Sequence, residues 1–174
     1  MRIRLIRHPR PDVAPGLCYG RSDLAPGADS DACAARLRAE LPTDLPVFTS
    51  PLRRCLTLAQ ALHAQPVVDA RLIEMNFGTW EMRAWNDIPR HEIDAWSASP
   101  LDYAPPGGEP VAAVRERVRS YVAARQAAGD EDIVVVSHAG VMKLFAAECL
   151  GLAADAWLAM TFSYGEVFVV DLPD

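Results

Sequence analysis

The stretch Ile133-Val134-Val135-Val136-Ser137-His138-Ala139-Gly140 decides how the rest of the chain is read. Four consecutive β-branched apolar residues fit a short strand buried on both faces, the habit of parallel sheets covered by helices. The run stops at Ser137-His138, so an imidazole stands at the strand's carboxyl edge, where open α/β sheets place their ligands. The amino-terminal stretch Ile3-Arg4-Leu5-Ile6-Arg7-His8-Pro9 ends the same way. One Arg-His pair closing a strand is ordinary surface chemistry. Two buried strands that each end in a histidine form a constellation.

Outward from these strands the pattern alternates. A long Pro/Gly-rich loop over 9–27 carries Gly16-Leu17-Cys18-Tyr19-Gly20-Arg21-Ser22-Asp23, and unstructured loops of that length are usually functional or disordered. Because Leu17, Cys18 and Tyr19 give it something to bury, a functional loop is expected. Asp29 or Ser30 can cap a helix to about Leu41. The strand Val47-Phe48-Thr49 leads into Ser50-Pro51-Leu52-Arg53-Arg54, where Ser50 suits an N-cap and Pro51 the first helical position of a helix to His63. A third strand at Val67-Val68 or Leu72-Ile73 is expected to end at Glu74. A helical pattern from Trp85 to Trp96 is broken by Pro89, and Pro100, Pro105, Pro106, Gly107, Gly108 and Pro110 mark a loop, so about 80–110 reads as a lid-like insertion. Val111, Val114, Val118 and Val122 predict an amphipathic helix to about Ala128. A helix from about Val141 to Leu150 and a strand from Glu166 to Val170 complete the chain. Strands alternating with helices predict one domain over 1–174, a three-layer α/β/α sandwich with a mostly parallel central sheet.

At 174 residues the chain can bury roughly 70% of its unfolded surface without a staple. Its 51% hydrophobic content includes no run approaching the roughly 18 residues of a membrane span. Arg2, Arg4 and Arg7 interrupt the one apolar stretch where a signal peptide would lie, so the cytoplasm is the expected location. Cys18, Cys33, Cys55 and Cys149 are scattered, which implies neither a zinc site nor a disulfide framework. His91-Glu92-Ile93-Asp94 lacks the second histidine of a zincin helix, so no metal is expected. The net charge of −6 argues against nucleic acid as a partner. Yet Arg2, Arg4, Arg7, Arg10, Arg21, Arg53 and Arg54 gather in the first third, and a basic pocket in an acidic protein suits a small anionic substrate.

Arg7, His8, Arg54, Glu74 and His138 are all expected at carboxyl ends of strands or just beyond them. A neutral histidine is a good nucleophile toward phosphorus, and arginine forks match phosphoryl oxygens. Phosphoryl transfer needs mainly positioning and charge stabilisation. The expected reaction is therefore a metal-independent, cofactor-free phosphatase cycle through a phosphohistidine. His8 attacks; Arg7, Arg54 and a protonated His138 hold the oxygens; Glu74 protonates the leaving alkoxide and then deprotonates the hydrolytic water. Other phosphatase and hydrolase signatures fail on spacing: no cysteine begins Cys-x5-Arg, and Gly-x-Ser-x-Gly and Gly-x-Gly-x-x-Gly are absent.

These blocks resemble the histidine phosphatase superfamily, also called phosphoglycerate mutase-like. The family's Arg-His-Gly appears as Arg7-His8-Pro9. Its Ser-x-Leu-x-Arg-Ala resembles Ser50 to Cys55, which makes Arg54 rather than Arg53 the phosphate ligand. Its Leu-x-Glu-x-x-x-Gly-x-Trp-Glu-Gly resembles Leu72 to Met82, with Glu74 the proton donor. Gly107-Gly108-Glu109-Pro110 resembles its Gly-Gly-Glu-Ser turn, and Val136 to Gly140 its second-histidine motif. Gly16-x-Cys18-Tyr19-Gly20-x-x-Asp23 is most similar to the α-ribazole phosphatases. The resemblance thus implies a small phosphorylated substrate, α-ribazole 5′-phosphate foremost. A broad-specificity phosphatase of sugar phosphates or nucleotides is the next reading, with a phosphoglycerate mutase or a non-catalytic phosphate-binding module behind it. Arg21 is a candidate substrate ligand, Asp23 a structural residue of the loop. Pro9, Leu58 and Met82 depart from the family's pattern. The oligomeric state is open, a homodimer included.

Overall fold

The computed structural model describes residues 1–172. Its centre is a five-stranded sheet of β1 (Arg2–Arg7), β2 (Val47–Thr49), β3 (Val67–Val68), β4 (Asp132–Ser137) and β5 (Val167–Asp171) in the order β3-β2-β4-β1-β5. β4 pairs parallel with both β1 and β2, β2 pairs parallel with β3, and β5 alone runs antiparallel, on the outer side of β1. The register Ile6↔Val136 and Arg7↔Ser137 sets the two sequence stretches side by side. His8 N–H then donates to Ser137 O at 3.0 Å, so His8 and His138 leave the sheet at the same height.

Side chains alternate along each strand, so the buried runs feed two layers. Ile3, Leu5, Phe48, Ile133 and Val135 pack against α4 (Val111–Ala127) and α5 (Ala139–Leu150) through Val114, Val118, Tyr121, Met142 and Phe145. Ile6, Val47, Val134 and Val136 pack against α1 (Ser30–Glu40) and α2 (Arg53–Leu62) through Ala34, Leu37, Cys55, Leu58 and Ala59. The α/β/α layering is the one the alternation implied. A third cluster joins Cys18, Trp80 and Ile88 with Phe77, Ile93, Trp96 and Tyr103, tying the 9–27 loop to the segment containing α3 (Arg90–Ala98). Among the described residues no helix is long and apolar enough to cross a membrane.

Two local expectations are corrected. Helix α2 starts at Arg53 with Leu52 as its cap residue, so Ser50 and Pro51 lie outside it. The first-turn N–H of Arg53 is instead capped from afar by Asp23 Oδ1, at 2.7 Å, which gives the loop carboxylate a structural role. Strand β3 is two half-exposed residues. Glu74 consequently does not end a strand; it follows a 3-10 turn at Ala70–Leu72. A short helix, α6 (Ala154–Ala159), was not foreshadowed by the sequence pattern.

Met82 occupies the left-handed region at φ 63°, which explains why glycine suits that place in the family's pattern. A side chain there costs roughly 1–2 kcal/mol, offset in part by the extra freedom glycine has when unfolded. Met82→Gly is therefore expected to leave stability unchanged or raise it by up to about 1 kcal/mol. A loss of more than that on urea unfolding would show that Met82 contributes packing that its 45% exposure does not suggest.

Candidate active site

His8 is buried at the end of β1, 2% exposed. Its Nδ1 lies 2.7 Å from Pro9 O, and since a carbonyl only accepts, Nδ1 carries the proton and Nε2 keeps its lone pair. Burial, then the charges of Arg54 and Arg7, lower its pKa to about 3, so the ring is neutral at physiological pH. A neutral imidazole with a fixed tautomer and an unprotonated Nε2 is what nucleophilic attack on phosphorus requires.

Arg54, in the first turn of α2, is fully buried and aims its Nε at His8 Nε2, 3.3 Å away. Its Nη atoms donate to Ser22 O (2.7 Å) and Gly20 O (2.6 Å), so the loop carbonyls hold the guanidinium against His8. Arg53 is exposed and points elsewhere. Arg7 donates from Nη1 to Phe162 O at 2.5 Å and lies flat on the Tyr164 ring, 3.8 Å from its centroid. Its Nε is buried with no partner among the described residues. An orphaned guanidinium N–H beside a buried, neutral histidine is a donor left for an anion.

His138 packs against His8 with ring centroids 5.1 Å apart. Its Nε2 is 2.8 Å from Ser50 Oγ, and Cys55 Sγ lies 3.5 Å away. Ser50, read from sequence as a helix cap, thus belongs to the second histidine. The protonated His138 expected from sequence is corrected: burial, then His8, Arg54 and Arg7, push its pKa well below the ordinary value. It meets an incoming anion as a neutral ring, and only a dianion among these cations would favour its protonation.

Glu74 is buried, with Oε1 accepting from Met75 N (3.0 Å) and Oε2 from Gly140 N (3.2 Å). A Cβ on Gly140 would stand 2.5 Å from Oε1, so glycine there leaves room for the carboxyl. Burial raises its pKa; the backbone bonds and the arginines oppose but do not cancel that shift. Such a carboxyl stays protonated above the ordinary carboxylate range and can give its proton to a leaving oxygen. The structure brings His8, His138, Arg7, Arg54 and Glu74 together. It does not bring Arg21 into the cavity wall: that guanidinium pairs with Glu109 at 2.9 Å.

The family model for the histidine phosphatase superfamily, branch 1, matches residues 3–174. This chain belongs to that superfamily. A Hydrogenobacter thermophilus protein provisionally named phosphoserine phosphatase 2 is 31% identical over 81% of this chain and 74% of its own. The adenosylcobalamin/alpha-ribazole phosphatase of Salmonella typhimurium is 29% identical over 90% of this chain and 84% of its own. The crystal structure of the alpha-ribazole phosphatase from Shigella flexneri superimposes with a TM-score of 0.87 at 28% identity, covering 99% of this chain and 91% of that one.

In this histidine phosphatase Arg7, His8 and Glu74 line the floor of a cavity of about 640 Å³, with Arg54 and His138 packed behind His8. Above Arg7, His8 and Glu74 its wall is largely apolar and aromatic, with Leu17, Phe77, Trp85, Trp96 and Trp157. Trp85 and Trp96 stack at 16° with centroids 6.1 Å apart, and Phe77 meets both edge-on. Tyr19 and Tyr164 join hydroxyls at 2.7 Å beside the floor, and Tyr164 also faces His8, ring centroids 5.8 Å apart. Glu81 fastens the 9–27 loop by accepting from the N–H groups of Gly20, Arg21 and Ser22 and from the Ser22 hydroxyl. Sequence reasoning missed Tyr164, Trp157 and Ser50 as site residues. The first two carry no motif, and Ser50 carried a misleading one, because Ser-Pro mimics a helix start.

Proposed function

We propose that the protein hydrolyses phosphate monoesters through a phosphohistidine on His8 Nε2, and that its preferred substrate is α-ribazole 5′-phosphate. Arg7 and Arg54 bind the transferring oxygens, and His138 contributes a third donor once the phosphoryl charge favours its protonation. His8 attacks in line, the ester oxygen leaves with the proton of Glu74, and the resulting carboxylate takes a proton from the water that cleaves the phosphorus–nitrogen bond. Free phosphate departs and both side chains return to their starting states. No cofactor enters this cycle. The segment at about 80–110 serves as a cover, since Trp85 and Trp96 reach the cavity from it.

The observation that carries the substrate choice is the aromatic wall over a cationic floor. Trp85, Trp96 and Phe77 offer faces and edges to a planar, apolar base, whereas a small carboxylated ester would leave them bare. The names of the Salmonella and Shigella relatives support the same substrate. Arg10 and Lys143 also border the cavity, which favours phosphoserine as the second reading, in line with the Hydrogenobacter relative. Lys143 Nζ is, however, already bonded to Leu158 O at 2.8 Å.

The test is kcat/KM on α-ribazole 5′-phosphate, phosphoserine, ribose 5-phosphate and 3-phosphoglycerate, for the wild type and Trp85→Ala. The ribazole ester is expected to lead, with its KM rising about 10-fold in Trp85→Ala through loss of an aromatic contact worth roughly 1–1.5 kcal/mol. A preference for phosphoserine that Trp85→Ala leaves untouched would remove the substrate reading while leaving the phosphohistidine chemistry standing.

A further inference from the structure

The segment that carries the proton donor is not held by the sheet. Residues 73–77 lie between two 3-10 turns, Ala70–Leu72 and Gly78–Trp80, and pair with no strand. Their backbone groups must find partners elsewhere; Phe77 N–H goes to Glu81 Oε1 and Met75 N–H to the Glu74 carboxyl, and the groups flanking Glu74 are held by three further charged side chains. Arg117, on α4, donates from Nη1 to Ile73 O (2.8 Å) and Arg71 O (3.2 Å). Arg21, from the 9–27 loop, donates from Nε to the carbonyl of Glu74 itself, at 3.4 Å. Both guanidinium groups then converge on one atom, Glu109 Oε1, at 2.9 Å each. The same oxygen accepts the N–H of Asn76 at 2.9 Å, and Glu109 N–H donates to Asn76 O at 3.0 Å.

We propose that Glu109, with Arg21 and Arg117, is a positioning cluster for Glu74, holding the backbone on both sides of the proton donor in place of strand pairing. The inference rests on the assignment of Glu74 as proton donor and extends it to residues that do not touch the substrate. It also gives Arg21 a place: its fork is spent on Glu109 and on the Glu74 carbonyl. The turn beneath is built for close approach. Gly108 has no room for a Cβ, which would come 2.5 Å from Asn76 O, and Gly78, at φ 56°, lies as tightly against Pro106 O. The turn at 106–109 is thereby clamped to the segment it supports. Fixing a carboxyl within tenths of an ångström matters, because small misplacements of a reacting group cost large factors in rate.

The test separates proton donation from every other duty. kcat/KM is measured on ribose 5-phosphate, whose alkoxide must be protonated as it leaves, and on p-nitrophenyl phosphate, whose phenolate leaves without help. This ratio reports the first half-reaction, before phosphohistidine hydrolysis. Glu74→Gln is the control and is expected to lose far more on the alkyl ester than on the aryl ester. Glu109→Gln is expected to show the same split, about 10- to 100-fold on ribose 5-phosphate and within about twofold on p-nitrophenyl phosphate. Arg21→Ala, at a half-exposed side chain, is expected to repeat the split at smaller amplitude and stands in should Glu109→Gln fail to fold. Equal losses on both esters in these variants, or no loss, overturn the proposal while a split in Glu74→Gln leaves the donor assignment intact. Absence of the split in Glu74→Gln overturns the donor assignment itself.

Discussion

His8→Asn is expected to lower kcat on any phosphate monoester by about 10⁵-fold or more, the scale on which enzymes lose rate when a covalent nucleophile is removed. Asparagine keeps a polar group of similar size facing Pro9 O, so the fold should survive. Rapid quenching of wild type with a labelled phosphoryl donor should trap an acid-labile phosphoenzyme, and the variant should trap none. Retention of the phosphoenzyme in the variant would move the nucleophile to His138. The same change carries a stability signature. The folded-state pKa of His8 is lowered to about 3 from an ordinary 6.5, so between those values the unfolded chain binds the extra proton. Native stability contributed by the neutral ring is complete above about pH 6.5 and is lost as pH falls toward 3. The slope is about 1.4 kcal/mol per pH unit, or about 3 kcal/mol between pH 7 and pH 4. Denaturant melts of His8→Asn at those two pH values should show a correspondingly smaller difference than wild type.

Glu74→Gln is expected to reduce kcat/KM on ribose 5-phosphate by about 10²- to 10⁴-fold, the usual worth of a positioned general acid. Glutamine keeps one carbonyl oxygen, which can accept from Met75 or Gly140 but not from both, and it has no proton of suitable acidity to give. Because burial raises the Glu74 pKa, the wild-type profile for an alkyl ester should fall on an alkaline limb set above the ordinary carboxylate range. In Glu74→Gln that limb should vanish, leaving the ionisation of the substrate phosphate as the titration that remains. A limb that persists unchanged in the variant would mean that a different group delivers the proton.

Most of the proposed catalytic residues were readable because they sit where a buried strand ends or a helix begins. Strand ends are legible from the switch out of an apolar run: Ile133 to Val136 into Ser137-His138, and Ile3 to Ile6 into Arg7-His8. Arg54 was readable from its place in a motif, and its burial distinguishes it from Arg53. Glu74 was picked out on the wrong support, since Leu72-Ile73 could be read as a strand and is the end of a 3-10 turn. Its real support, Arg21, Arg117 and Glu109, comes from three distant segments and has no local pattern. The neutral state of His138 before an anion binds was not legible for a similar reason. A histidine expected to meet phosphate looks cationic on paper, but burial, with His8, Arg54, Arg7 and Arg117 nearby, holds it neutral until an anion arrives.

The sequence alone determined the layered α/β architecture, its mostly parallel sheet and a set of candidate side chains at the strand ends. Those follow from periodicity and from residue chemistry, which are local properties. Tertiary structure alone decided which partners set the protonation states, that Tyr164 and Phe162 engage Arg7 from 155 or more positions away, and that tryptophans from separate segments line one cavity. Burial and long-range hydrogen bonds depend on where the chain returns in space, and a linear pattern of polar and apolar residues does not encode that return residue by residue.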